Sequence, residues 1–190
     1  MSQQYRRLEA IAMTALLTLT GCDSAIISTS YLGPSYWPQE FTGQGFLPVL
    51  VSGDPFSVPR DQFSADVADA LQGTVFGANT PFVPAPQGSP AAYRIAMDFS
   101  GSSTAASLCA QRDVPPSSPP AVNPAAGSRT RVSAALCRGD QAIASASGSL
   151  ALGDGPTSAA FRNGVAQFGM ALLPSQNPPI RGSHRRRPCC

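Results

Sequence analysis

The sequence predicts an α+β fold: a two-layer sandwich in which a small antiparallel sheet carries two helices on one face. Three observations point there. A short apolar run and two alternating stretches read as strands, two other stretches repeat their apolar residues at helical spacing, and turn residues punctuate them all. The expected order is β-α-β-β-β-α within one domain, residues 45–174, interrupted by a proline-rich loop at 113–124.

The first strand is "GFLPVLVSG", residues 45–53, an apolar run bounded by glycines. Pro48 lacks a backbone donor, which favours a sheet edge or a start after Pro48. The exposed edge near Val49–Val51 is then the place where a partner would add a strand. In "DPFSVPRDQFSADVADALQG" the period changes: Phe63, Val67, Ala70 and Leu71 share a helical face while Asp61, Asp66 and Asp69 look outward. Pro59 suits the first turn and Gly73 the C-terminal cap. Further short strands fit between Thr74 and Val83. "AYRIAMDFSG" alternates, with Tyr93, Ile95, Met97 and Phe99 inward and Arg94, Ala96 and Asp98 outward, the latter a surface ion pair.

"RTRVSAALCRGDQAIASASGSLAL" reads as a hairpin turning at Gly139-Asp140. A two-residue loop pairs Arg138 with Gln141 and Leu136 with Ile143. Val132, Ala134, Leu136 and Ile143 then share one face, and Ala135, Cys137, Ala142, Ala144, Ala146 and Leu150 the other. Those small residues let a helix lie close. The final helix follows: Pro156 opens it, Phe161, Val165, Phe168 and Leu172 form its stripe, and Pro174 stops it.

The N-terminus reads as a targeting segment. Arg6 and Arg7 form a basic n-region and Ala10–Leu19 an apolar run of ten residues. A membrane-spanning helix needs about 20 apolar residues, so this length fits a cleaved secretory signal. The run ends at Leu19-Thr20-Gly21-Cys22, which resembles the lipobox of bacterial lipoprotein precursors. The resemblance implies that the Cys22 thiol takes a diacylglycerol, that cleavage removes residues 1–21, and that Cys22 becomes the acylated first residue of a chain anchored to a membrane and facing the periplasm. An ordinary signal peptide is the alternative. Asp23 resembles the inner-membrane retention signal of enteric bacteria, a rule other lineages do not follow reliably, so inner and outer membrane both stay open. Residues 22–44 are expected to be a tether. Its aromatic residues Tyr31, Tyr36, Trp37 and Phe41 either pack one end of the core or form an exposed patch. The element order behind a lipobox is also loosely similar to small uncharacterised envelope lipoproteins of Gram-negative bacteria.

Without residues 1–21 the chain has 169 residues, with 11 arginines, no lysine and 10 acidic residues. That near-neutral balance gives no electrostatic case for nucleic-acid binding. The segment 175–190 holds Arg181, Arg185, Arg186 and Arg187 and reads as a disordered tail, either a basic arm for anionic headgroups or an unselected extension. Export places the cysteines in an oxidising compartment, and Cys109 with Cys137 is the candidate disulfide. Cys189-Cys190 has no assigned state.

Chemistry-bearing constellations are scarce. The only histidine, His184, lies in the arginine-rich tail, which disfavours Ser-His-Asp and Cys-His sites and leaves at most three zinc ligands with Cys189 and Cys190. Asp61, Asp66 and Asp69 fit a solvated helix face better than an acid–base pair. The sequence thus predicts no catalytic residues, no metal and no cofactor. The expected function is that of a non-catalytic accessory or structural lipoprotein of the envelope, with an envelope protein as partner. The alternative is a binding module for a small apolar or envelope-derived ligand, for which a cavity lined by Phe63, Met97, Phe161 and Phe168 would speak; a filled core there favours the first reading.

Overall fold

The computed structural model describes residues 25–31, 44–75, 80–85, 91–111 and 128–174. Leu19–Cys22, the whole of residues 32–43 with Tyr36, Trp37 and Phe41, the proline-rich segment 113–124 and the segment with His184, Cys189 and Cys190 lie outside the described residues. The elements are β1 (Ala25–Tyr31), β2 (Leu47–Ser52), α1 (Arg60–Leu71), β3 (Phe82–Pro84), β4 (Tyr93–Asp98), α2 (Ala105–Ala110), β5 (Arg129–Arg138), β6 (Gln141–Ala151) and α3 (Ala159–Leu172). They form a six-stranded sheet in the order β1-β6-β5-β4-β2-β3. The class is α+β as expected, but the sheet is mixed: β2 runs parallel to both β3 and β4, while the other pairs are antiparallel.

Both predicted helices pack on one face. Phe63, Val67 and Leu71 of α1 and Phe161, Val165, Phe168 and Leu172 of α3 join the sheet residues Val49, Ile95, Met97 and Leu136 in the main core. Each buried phenylalanine contributes about 1.5–3 kcal/mol of hydrophobic stabilisation. The rings of Phe56, Phe63, Phe99 and Phe161 meet at centroid distances of 5.0–6.0 Å. Gly73, at φ +74, sits just beyond the end of α1, where a left-handed residue lets the chain leave the helix. Ser158 caps α3, its hydroxyl accepting from the Phe161 N–H, and Pro174 follows the helix directly.

The sequence reading lacks the third helix. α2 covers the opposite face of the sheet, where Leu108 and Cys109 pack with Leu50, Ala96, Ala135, Cys137 and Ala142. This second cover explains why β4 is buried along its whole length rather than half-buried. Arg94 and Asp98 are 7% and 3% exposed, so they are not a surface pair.

β2 is not an edge: it lies between β4 and β3. Pro48 is accommodated because Leu47 donates to Pro81 and Val49 accepts from Ala85, both toward β3. Residue 48 therefore aims its nitrogen toward β4, whose pairing with β2 starts only at Val49. There the Gln44 side-chain amide donates to the Tyr93 carbonyl and accepts from the Tyr93 N–H, acting as a ladder partner. Residues 25–31, expected within a tether, form β1, pairing with β6 over seven residues. Their serines and threonines resemble linker composition, yet Ile26, Ile27 and Thr29 are β-branched and pack well on a pleated surface. Tyr31 packs against the main core and donates from its hydroxyl to the Ala171 carbonyl at 2.6 Å.

The hairpin turns at Gly139-Asp140 and pairs Arg138 with Gln141 as predicted, but a bulge shifts the register between Leu136 and Cys137. Leu136 pairs with Ala144, leaving Ile143 as the extra residue on β6. Side chains alternate with period two, so one inserted residue reverses the faces of everything beyond it. Ala144, Ala146 and Leu150 consequently face the main core with Val132 and Ala134, not the opposite side.

Candidate functional site

The structure brings Cys109 and Cys137 together as a disulfide, with Cα atoms 5.4 Å apart. Both are fully buried. Cys137 is the penultimate residue of β5, and Cys109 lies in α2. The bridge fastens a six-residue helix that is too short to be stable by itself. The capping box between Thr104 and Ser107 was the one local sequence signal for that helix. Cys22 itself lies outside the described residues, but β1 starts only three positions after it.

The carboxylates do not converge. Asp61 and Asp69 are exposed on α1 and Asp66 is half-buried beside them. Asp69 instead receives a hydrogen bond from Arg162 at 2.6 Å, tying α1 to α3. Arg94 donates to the Cys109 carbonyl at the end of α2 and lies 3.9 Å from Asp140 in the hairpin turn. Asp98 organises the loop after β4: its Oδ1 accepts from the Ser100 N–H at 3.0 Å, its Oδ2 from the Ser103 N–H at 3.1 Å, and the Ser100 hydroxyl bonds both oxygens. Burial pushes the Asp98 carboxyl up, but the hydrogen bonds from Ser100 and Ser103 outweigh it and hold the group below its ordinary value. These charges serve local architecture. Among the described residues, no three His, Cys, Asp or Glu residues cluster as a metal site.

Phe63, Met97, Phe161 and Phe168, named as lining for a ligand cavity, are instead packed in the core, with the Phe63 and Phe161 rings 5.9 Å apart. Among the described residues, concavities border β1 on both faces of the sheet. One, of about 300 Å³, opens between β1 and α3 and is lined by Ile27, Tyr31, Met170, Ala171 and Pro174 among others. Its wall is mostly apolar, and Met170 at its rim is exposed. The other, of about 270 Å³, lies over β1, β6 and β5 beside the start of α2, lined by hydroxyls of Ser28, Ser30, Ser133, Ser145 and Ser147. Pairing aligns Ser28 with Ser147, Ser147 with Ser133, and Ser133 with Asp98 in one row across four strands.

The outer strands of the sheet differ. β3 has three residues, one of them Pro84, and the Gln72 amide bonds both the N–H and the carbonyl of Phe82. β1 has seven residues without proline or charge. Sequence reasoning missed β1 as a strand because it assigned these residues to a tether; the alternation of Ile27, Thr29 and Tyr31 was the available signal. No helix among the described residues is long and apolar enough to cross a membrane.

No family model matches the chain, and no curated protein matches it. Among solved structures it is similar to a PelC dodecamer variant from Paraburkholderia phytofirmans, at 15% identity over 80% of this chain and 99% of that chain, with a TM-score of 0.43. A second crystal form of the PelC dodecamer from the same organism gives 14% identity, the same coverages and a TM-score of 0.43. A likeness at this distance carries no functional argument.

Proposed function

We propose that the chain is the precursor of a lipid-anchored lipoprotein whose α+β domain faces the periplasm as a non-catalytic accessory or structural component of the cell envelope. The observation that carries this reading is the order at the N-terminus: Arg6-Arg7, the apolar run to Leu19, Thr20-Gly21-Cys22, and then a folded strand from Ala25. Cleavage before Cys22 would remove the whole targeting segment and leave every described element intact. The Cys109–Cys137 bridge supports the same reading, because such bonds persist in oxidising compartments. Acyl chains on Cys22 would gain about 0.8 kcal/mol per buried methylene.

The test is the intact mass of the membrane-fraction protein from its native host. The expected result is loss of residues 1–21 together with added diacylglycerol, and absence of that addition in Cys22→Ser. Cleavage without modification would make the protein a soluble periplasmic one, and an uncleaved chain would overturn the reading altogether.

The cleft between β1 and α3 favours a second reading, a binding module for a small apolar or envelope-derived ligand. Native mass spectrometry of the purified protein would then find a bound small molecule that Ala171→Trp displaces. The filled aromatic core around Phe63 and Phe161 supports the first reading over this one.

A further inference from the structure

The reach of the chain between Cys22 and β1 limits how the domain sits on a membrane. Three extended residue steps span at most about 11 Å. On the lipoprotein reading, on which this inference rests, the acyl chains leave the protein within that distance of Ala25. The bilayer surface would then lie within that reach of the end of the sheet where β1 starts.

The residues at that end have a distinct character. Ala25, Ile27, Thr29 and Tyr31 line the cleft with α3, so Ile26, Ser28 and Ser30 look to the opposite face. Ile26 is 59% exposed, the most exposed large hydrophobic residue described. It pairs with Ser149 on β6, which in turn pairs with Arg131 on β5. Arg129, two residues before Arg131 and on the same face, lays its guanidinium along Ser149, bonding its hydroxyl at 2.9 Å and its carbonyl at 3.0 Å. Both arginines are exposed. An apolar side chain on β1 and two cations two strands away on β5 thus share the end of the sheet where β1 starts, on a face that α1 and α3 leave open.

We propose that this end of the sheet, with Ile26, Arg129 and Arg131, is the membrane-facing surface, and that the two guanidinium groups engage the phosphates of anionic phospholipid headgroups. Charge argues for this occupant. Between Cys22 and residue 180 the chain has 7 arginines against 10 acidic residues, so a basic patch beside the anchor departs from the average of the body. A second copy docking through the same face would bring the arginines of one against those of the other. A guanidinium also binds a phosphate through two parallel hydrogen bonds, and Ile26 fits the boundary between headgroups and acyl chains. The serine hydroxyls of the neighbouring row add donors and acceptors for the same headgroup layer.

The experiment uses the full, host-processed lipoprotein in a Cys189→Ser/Cys190→Ser background, reconstituted into vesicles containing 30% phosphatidylglycerol in phosphatidylcholine (roughly the range in which anionic lipid governs binding). A bimane probe is attached through Ser147→Cys on the proposed face or through Asn163→Cys on the exposed side of α3. Phosphatidylcholine carrying a nitroxide reports proximity to lipid. The expected result is strong quenching at position 147 and little at 163, with the contrast lost in Arg129→Gln/Arg131→Gln. The non-acylated Cys22→Ser domain should bind the same vesicles more weakly by roughly fivefold per arginine removed, and the effect should vanish in pure phosphatidylcholine. Equal quenching at both positions, stronger quenching at 163, or indifference to the arginine substitutions would overturn the proposal. Intact mass of the same preparation separates the two failures. An acylated protein with the wrong quenching pattern overturns only the orientation, whereas a preparation without the lipid overturns the reading beneath it.

Discussion

Asp98 shows what a single buried charge does in this fold. It sits at the end of the central strand β4 and gathers the Ser100–Ser103 backbone through both oxygens. Asn is nearly isosteric but offers one acceptor, and its amide nitrogen would face the Ser103 or Ser100 N–H. Asp98→Asn should therefore cost about 2 kcal/mol, as expected for lost hydrogen bonds to a charged acceptor. Chemical denaturation at neutral pH would measure it. The pH dependence follows from the direction of the shift. The folded-state carboxyl lies below its ordinary 3.8, so the stabilisation is fully present above the unfolded value and fades as pH falls through the folded one. The gap between wild type and Asp98→Asn should accordingly narrow as the pH falls below the ordinary value of 3.8. A gap that stays constant across that range would mean that shape, not charge, stabilises the loop. The alternating pattern of residues 93–99 correctly gave Tyr93, Ile95 and Met97 to the core. It gave Arg94 and Asp98 to solvent because alternation reports only that two faces differ, not that α2 and its preceding loop cover the second one.

At the scale of elements, the attachment of β1 depends on one residue of its neighbour. A Cβ at Gly148 of β6 would run into the carbonyl oxygen of Ile26 and the backbone at Ile27, neither of which can move without breaking the ladder. Gly148→Ala should cost about 1–3 kcal/mol, in the range of other overpacked sites. The loss should be local: hydrogen exchange should speed up in residues 25–31 well before the β4–β5 ladder responds. Uniform acceleration would mean that β1 is integral to the cooperative core. Legibility was also uneven at this scale. The stripes of α1 and α3 were readable because three or four large apolar residues repeat at one spacing over several turns. The bulge at Ile143 was not, since an inserted residue among alanines and serines leaves no mark on the hydrophobic pattern. The parallel placement of β2 was hidden for a related reason: a run apolar on both faces says that a strand is interior, while Pro48 argued for an edge. The hydrogen bonds of Leu47 and Val49 toward β3 resolve that conflict. For the candidate site, the cysteine pair was legible from the cysteine count and the export expected of the N-terminus, whereas the grouping of Ile26 with Arg129 and Arg131 emerges only from the register of three strands.

For the whole molecule, the disulfide binds parts that hydrophobic burial holds weakly. Among the described residues, the face under α1 and α3 has a continuous core of large residues, while the opposite face has a small cluster under α2, built from alanines, the two cysteines, Leu50 and Leu108. The Cys109–Cys137 bond crosses that thin layer and closes a loop with a sequence separation of 28 residues. Its contribution comes chiefly through the unfolded chain, which loses loop freedom when cross-linked, and for this length amounts to about 3–4 kcal/mol. Because Cys137 lies in β5, between β4 and β6, the constraint acts on the central ladder and not on a peripheral loop. Reduction should therefore lower the single unfolding transition of the whole domain, by roughly 6–16 °C for a chain of this size, instead of releasing α2 alone. Cys109→Ala/Cys137→Ala should show a similar drop and no further response to reductant. Denaturant curves should have a steeper slope without the bond, since a more expanded unfolded state exposes more surface. A reduced protein that keeps its global transition while only residues 105–110 lose protection would place the bond's effect in the native helix instead. In that case α2 would be a separable cover, and the sheet would owe its stability to the α1–α3 face alone.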